Sequence, residues 1–333
     1  MKNNTPKEVW DALISSKNPI CCIDSRFDFD AFGSALALYE VLKKQGITLT
    51  LTFDGIIADT AKEIMDTSAI KEQVDPKSVD FTKHDLLIFL DSGTLEHVSK
   101  VNEFKIPSGI KTVNIDHHAG NSLYADLNFV THGASSACVV LYDLLKAVSF
   151  EIDSKIAKYL LIGMATDSMF FQAEYSISDD LREAADLIDK GASLHEISNQ
   201  LSFNETINDY RYRAIIYKNF VVRKDKGYAY STMTKKEVSD AHIDLKEMTI
   251  RGSDLIKRLK GVKLVFSLTE SMKESGTYDV SFRSHDTTFS ILLFAEALGG
   301  GGHKVAAGGV LKGINSIKEA VSKVEEIIAE ISK

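Results

Sequence analysis

The sequence predicts an α/β fold. Its N-terminal domain has a mainly parallel sheet flanked by helices, joined by a helical linker to a smaller α+β C-terminal domain with a mixed sheet. Three observations carry this expectation. Short apolar runs alternate with segments of helical periodicity through the first half. Three of those runs end in aspartate: PICCID, LLIFLD and TVNID. Beyond residue 220 the pattern changes to paired strand-like runs around turn residues. A chain of 333 residues is also long for one core, and the expected division is 1–190, 191–221 for the linker, and 222–333.

The elements follow in order. Thr5-Pro6-Lys7-Glu8 opens a helix, with Thr as the cap, Pro in the first position and Glu in the third. Pro19 to Asp24 reads as a strand. Ala31 to Lys44 repeats apolar residues at helical spacing, and Gly46 stops it. Thr48 to Phe53, Leu86 to Asp91 and Thr112 to Asp116 read as strands, and Ser135 to Val148 as a helix. A further helix leads to Asp167, and polar helical sequence runs on to about Phe220. The second half offers a hairpin around Lys224 to Gly227 and another strand pair with Ser275-Gly276 near its turn. It ends with a helix from about Thr288 to Leu298, a glycine run, and a last helix from Ser316 to Ile331.

Composition narrows the function. The formal charge is −8, from 39 Lys plus Arg against 47 Asp plus Glu, whereas proteins that coat long nucleic acid carry a strong positive field. A small anionic substrate stays compatible if metals and local cations hold it. Cys21, Cys22 and Cys138 form no C-x-x-C motif, which speaks against a zinc ribbon or disulfide framework. There is no signal-peptide pattern and no apolar stretch of roughly 18 residues, so no membrane role and a cytoplasmic location are expected.

Five constellations could carry chemistry. Asp24-Ser-Arg-Phe-Asp28-Phe-Asp30-Ala-Phe-Gly33-Ser34 sits between strand and helix. If its backbone is extended, Asp28 and Asp30 share a face, and paired carboxylates need protons or cations between them. The plain alternative is an aspartate-rich loop capping the next helix. Asp91 closes a strand and is followed by Ser-Gly, where it could simply form a turn. Asp116-His117-His118 closes another strand with three ligand-type residues. Thr166-Asp167-Ser168 ends an apolar helix. Gly299 to Gly309 places His303 and Lys304 beside glycines that could expose N–H groups to phosphate or form a linker. Strand ends of a parallel sheet converge on one place, and here that place is acidic. The remaining histidines, His84, His97, His195, His242 and His285, read as surface or structural residues.

Together the order D-x-D-A-x-G-S, strand-Asp, D-H-H, T-D, R-S and G-G-G-H resembles the DHH phosphoesterase superfamily with its DHH-associated C-terminal domain. The sub-group it most resembles is that of nanoRNases and pAp phosphatases of the NrnA type, and the likeness covers nearly the whole chain. It implies two divalent metal ions, manganese first and magnesium as the alternative. Asp28 and Asp91 would bind one ion, and Asp30, Asp91, His117 and Asp167 the other. His118, Asp91 and Arg283 would be catalytic. Ser135, Ser136, Arg283, Ser284, Gly300, Gly301, Gly302 and His303 would hold substrate.

The implied reaction is hydrolysis of short oligonucleotides (RNA or DNA) or 3'-phosphoadenosine 5'-phosphate by a metal-activated water. The resemblance also allows a homodimer. One departure stands out: the family's usual histidine, four residues before the first Asp of the motif, is Asp24 here. Asp24 could ligate through oxygen, or the site could be weakened to a nucleotide-binding role. Phosphodiester cleavage of cyclic or linear dinucleotides is the other enzymatic alternative. The family's T-D-T-G also reads Thr166-Asp167-Ser168-Met169, which is less permissive for the backbone.

Overall fold

The computed structural model describes residues 2–331, apart from 26, 96–97, 99–103, 174–177, 203–204, 246–249 and 287. The chain forms two compact units, Met1–Asn204 and Glu205–Lys333. The stretch 191–221, expected as a linker, is divided between them. Helix α7 (Leu194–Ser202) contributes Ile197 to the first core, and α8 (Ile207–Lys218) contributes Tyr212, Ile215 and Ile216 to a core of the second.

The first unit is built on six parallel strands: β1 (Pro19–Ile23), β2 (Thr50–Phe53), β3 (Ile70–Glu72), β4 (Leu86–Leu90), β5 (Lys111–Asp116) and β6 (Leu127–Val130). Their order is β3-β2-β1-β4-β5-β6. The chain moves outward from β1 in one direction, then returns to β4 on its other side. That reversal opens a crevice at the carboxyl ends of β1 and β4, where α/β proteins bind ligands.

The strands are apolar because both faces are covered. Cys21, Ile23, Ile88 and Leu90 face one core, while Ile20, Cys22, Leu87 and Phe89 face another. β3 and β6 were not apparent in the sequence. Each is a three- or four-residue edge strand, IKE or LNFV, too short and too polar to show a period.

Helix α1 (Pro6–Ser15) begins with the expected capping box from Thr5 and Glu8. Helices α2 (Phe29–Lys44), α4 (Ala137–Ala147) and α5 (Ser154–Asp167) pack together on one face of the sheet. α2 starts two residues earlier than its apolar period suggests, because Asp28 caps it by accepting the Asp30 N–H at 2.7 Å. Asp30 is therefore helical, so Asp28 and Asp30 are not an extended pair sharing one face. Two glycines allow the close approach of α2 and α5. A Cβ on Gly33 would lie 2.6 Å from the Tyr159 carbonyl oxygen; one on Gly163 would lie 2.3 Å from Cys138 Sγ and 2.5 Å from Asp30 Oδ1. α5 ends in an unusual turn: Met169, Phe170 and Phe171 all have positive φ, at 51°, 57° and 62°. The buried Ser168 hydroxyl stabilises this turn, accepting from Phe171 N at 2.9 Å and donating to Met164 O at 2.6 Å.

The second unit carries a mixed sheet of six strands: β7 (Val221–Arg223), β8 (Tyr228–Met233), β9 (Leu264–Glu270), β10 (Tyr278–Arg283), β11 (Gly301–His303) and β12 (Ala306–Leu311). Only β8 and β9 pair in parallel. Helices α11 (Leu292–Glu296) and α12 (Ile317–Ile331) cover one face; α8 and α10 (Gly252–Ile256) cover the other. α11 is shorter than the expected 288–298. Asp286 ties Thr288 into a local turn, and Ile291 N bonds to Lys304 O instead of to its own helix. The glycine run is no linker: from Gly301 it forms β11 and the start of β12, a tight hairpin. A Cβ on Gly300 would lie 2.0 Å from Gly308 O, so backbone proximity demands glycine there.

Gly163→Ala should destabilise the first unit by about 1–3 kcal/mol through overpacking against Asp30 and Cys138. Urea unfolding of the mutant, with an unchanged midpoint, would contradict this packing.

Candidate metal centre

The carboxyl ends of β1, β4 and β5 lie side by side and end in Asp24, Asp91 and Asp116-His117-His118. A cavity of about 580 Å³ opens there, lined by Asp24, Phe27, Asp28, Asp91, His117, His118 and Asp167, among others. The topology thus brings four of the five sequence constellations together. The fifth, around Gly299–Gly309, lies in the other unit.

His117 is the pivot. Its Nδ1 lies 3.0 Å from the Ala134 carbonyl, which can only accept, so Nδ1 carries the hydrogen. In the neutral ring, Nε2 then presents a lone pair. That nitrogen faces Asp91 Oδ1 at 3.2 Å and Asp167 Oδ2 at 3.6 Å. A lone pair facing two carboxylate oxygens is repulsive unless a cation lies between them, either a proton on Nε2, which the raised value of this ring favours, or a metal ion in its place. Asp91 Oδ1 is buried, and none of the described donors meets it with hydrogen-bond geometry. Both features fit a divalent ion held by an imidazole nitrogen and carboxylate oxygens, with the second ring nitrogen fixing the tautomer.

Without an ion, the protons of these groups reflect the strain. Burial pushes Asp91 up to about 8, and the charge of Asp30 adds to it. Burial and Asp30 likewise push Asp167 up to about 6. Burial opposes a proton on His117, but the Asp91 carboxylate and the charge of Asp30 hold its value at about 10.

Two overlapping groups of donor atoms lie within 4.8 Å of one another: Asp91, Asp116, His117 and His118, and Asp30, His117 and Asp167. Their members are not equally free. Asp116 Oδ1 accepts from His118 Nδ1 at 2.7 Å, and its Oδ2 accepts from Asn121 at 2.6 Å. Burial opposes ionisation of Asp116, but these two bonds prevail and hold its carboxyl below the usual range. Asp116 therefore orients His118, raising that imidazole's basicity and leaving its Nε2 for other work. Asn114, Tyr124 and the Ser92 carbonyl extend the network beneath Asn121.

Asp30 is 1% exposed; its two oxygens accept the Ala137 and Cys138 N–H groups at 2.6 and 3.0 Å, at the start of α4. Asp24 and Asp28 line the cavity but fall outside both groups.

The proposed substrate contacts are placed as follows. Ser136 is buried and caps α4, its hydroxyl accepting from Val139 N at 3.1 Å. Ser135 is buried, and its hydroxyl has no partner among the described residues. In the second unit, Arg283, Gly300 and Gly301 line a separate cavity of about 620 Å³, whereas Gly302, His303 and Ser284 do not. Ser284 Oγ donates to Lys263 O at 2.8 Å in a turn, and His303 is exposed. His195, His242 and His285 are exposed, His84 is half-buried, and His97 lies outside the described residues.

Sequence reasoning missed the use of Asp116, although its i, i+2 spacing to His118 on a strand end was a readable signal. It also missed Asn121 and Asp254, which nothing local marks.

A proton competes with a metal at each raised carboxyl. His117, raised to about 10, already holds a competing proton across this range, and metal affinity should fall further as pH drops through about 8 and again through about 6, the values of Asp91 and Asp167. Calorimetric titration with manganese at pH 8.5 and 6 should show weaker binding and more protons released at the lower pH. Equal affinities would place the metal elsewhere.

Comparison with known proteins agrees with this arrangement. Residues 20–164 match the DHH family N-terminal domain, and residues 225–330 match the DHHA1 domain. The chain is 29% identical to the bifunctional oligoribonuclease and PAP phosphatase NrnA of Thermus thermophilus, over 91% of this chain and 86% of that protein. It is 25% identical to the protein of the same name from Bacillus subtilis, over 92% and 93%. An exopolyphosphatase-related protein from Bacteroides fragilis shares the fold, with a TM-score of 0.81 at 21% identity, covering 98% of this chain and 96% of that one. With a DHH domain whose strand ends gather the acidic centre, followed by a DHHA1 domain, the chain belongs to the DHH superfamily as an NrnA-like phosphoesterase.

Proposed function

We propose that this hydrolase cleaves short oligonucleotides and 3'-phosphoadenosine 5'-phosphate, using two divalent ions. The observation that carries the metal reading is the convergence of the buried Asp91 oxygen and the Asp167 oxygen on His117 Nε2, the nitrogen that the Nδ1 contact with Ala134 leaves for a ligand. The substrate class is supported by the likeness to two NrnA proteins along most of the chain. It also agrees with the acidic overall charge, which disfavours long nucleic acid.

Asp91, His117, Asp167 and Asp30 would hold one ion; Asp24, Asp28 and Asp91 would hold the other. When bound, such ions lower the pKa of a coordinated water and neutralise phosphoryl charge. The chain's own residues do the rest. Ala134 O fixes the His117 tautomer. Asp116 aims His118, whose free Nε2 would donate to a phosphoryl or leaving oxygen. The cavity at the strand ends confines the ester beside these groups.

A second reading rests on Asp24, 4% exposed at the end of β1 where the family usually has histidine. A carboxylate there favours harder cations such as magnesium, or weakens the site to a binding role.

The test is hydrolysis of pAp, pApA and a five-residue RNA with manganese, with magnesium and with chelator. Metal-dependent release of phosphate or mononucleotide is expected. Asp91→Asn should lose about 10²-fold or more in kcat, because the bridging charge goes. Substantial turnover by that variant would sink the two-metal scheme. Asp24→His should shift the metal preference from magnesium towards manganese in an adapted enzyme, and raise kcat strongly in a weakened one.

A further inference from the structure

The cavity of the second unit has the size of a small-molecule site, and its floor is the glycine-rich β11–β12 hairpin against β10. Two guanidinium groups line it, Arg251 and Arg283. They are in opposite states.

Arg283 is already spent. Its Nε and NH2 donate to the two Asp254 oxygens at 2.8 and 2.9 Å, a bidentate pair. Its NH1 donates to Phe282 O at 2.9 Å and to Ser281 Oγ at 3.2 Å. All three nitrogens are engaged, and the charge is paired with a half-buried carboxylate that Lys257 also reaches, at 3.2 Å. Binding an anion there would compete with an ion pair of good geometry.

Arg251 precedes α10 and is exposed; its side chain makes no capping bond. Among the described residues it has no ion pair and no side-chain hydrogen bond, and its charge acts on the neighbouring Tyr212 hydroxyl. Only Gly252 and Ser253 separate it from Asp254, so the segment that clamps Arg283 also carries the free cation.

We propose that Arg251 is the residue that binds a phosphate group of the substrate in the second unit, and that Arg283 is a positioning residue bracing the cavity wall. This rests on the reading that the substrate is a nucleotide. It goes beyond the family resemblance, which points to Arg283 for contact. No covalent step is involved.

The test uses the full-length protein in chelator, so that hydrolysis cannot intervene, with AMP and adenosine as probes in calorimetry. Arg251→Ala should weaken AMP by roughly 10- to 150-fold, the range of a charge-assisted hydrogen bond, and leave adenosine unchanged. Arg251→Lys should recover part of the loss. Arg283→Lys should weaken AMP and adenosine alike, as a brace would. The proposal is overturned if Arg251→Ala binds AMP within twofold of the parent, if it weakens adenosine equally, if the parent binds no AMP, or if the phosphate-selective loss appears at Arg283. Failure of the nucleotide reading itself is recognised separately, as absence of metal-dependent hydrolysis of pApA by the parent protein.

Discussion

Negative charge gathered at one end of a parallel sheet is the constraint on which the first unit depends. Asp24, Asp91 and Asp116 terminate neighbouring strands, and Asp30 and Asp167 approach them from helices packed on one face. Each is wholly or partly removed from water, so their repulsion is weakly screened. The structure distributes the load in three ways. Asp30 is tied to the start of α4, where backbone N–H groups and the helix dipole favour an anion. Asp116 is held by His118 on one oxygen and by the Asn121 amide on the other. Asp91 and Asp167 are left facing His117, a contact relieved by a proton on the ring or by a metal ion in its place.

Much of this was legible in the sequence, and for definable reasons. Strands buried on both faces are continuous apolar runs, so β1, β4 and β5 announced themselves, and so did the acids that close them. The helices α1 and α2 carried caps or stops in plain view. What stayed hidden depends on partners distant in the chain. Nothing near Arg283 says that Asp254 will neutralise it, 29 residues away. Nothing near Ser136 distinguishes a helix cap from a substrate contact. The sequence gives no sign that Gly300, Gly302 and Gly308 are glycine because neighbouring backbone occupies the space of a side chain in the hairpin.

The left-handed turn at Met169–Phe171 illustrates how local preference is overridden. Single non-glycine residues tolerate positive φ at a cost of about 1–2 kcal/mol each, and three in succession are unusual. Ser168 over-determines the turn by donating and accepting at once, and Phe170 and Phe171 pack against the first core. The cost is offset by burial immediately beyond Asp167.

Asp30 has a different standing from its neighbours. It anchors α4, fills the space kept open by Gly163, and lies in the core at 1% exposure. Folding would therefore retain it even in a lineage that had abandoned catalysis, while Asp91 and His118 would be free to drift. Among related sequences, an intact Asp30 would record the scaffold as much as the ion it is proposed to hold. The sharper trace of the proposed chemistry would be an acid at 91 together with an imidazole at 117.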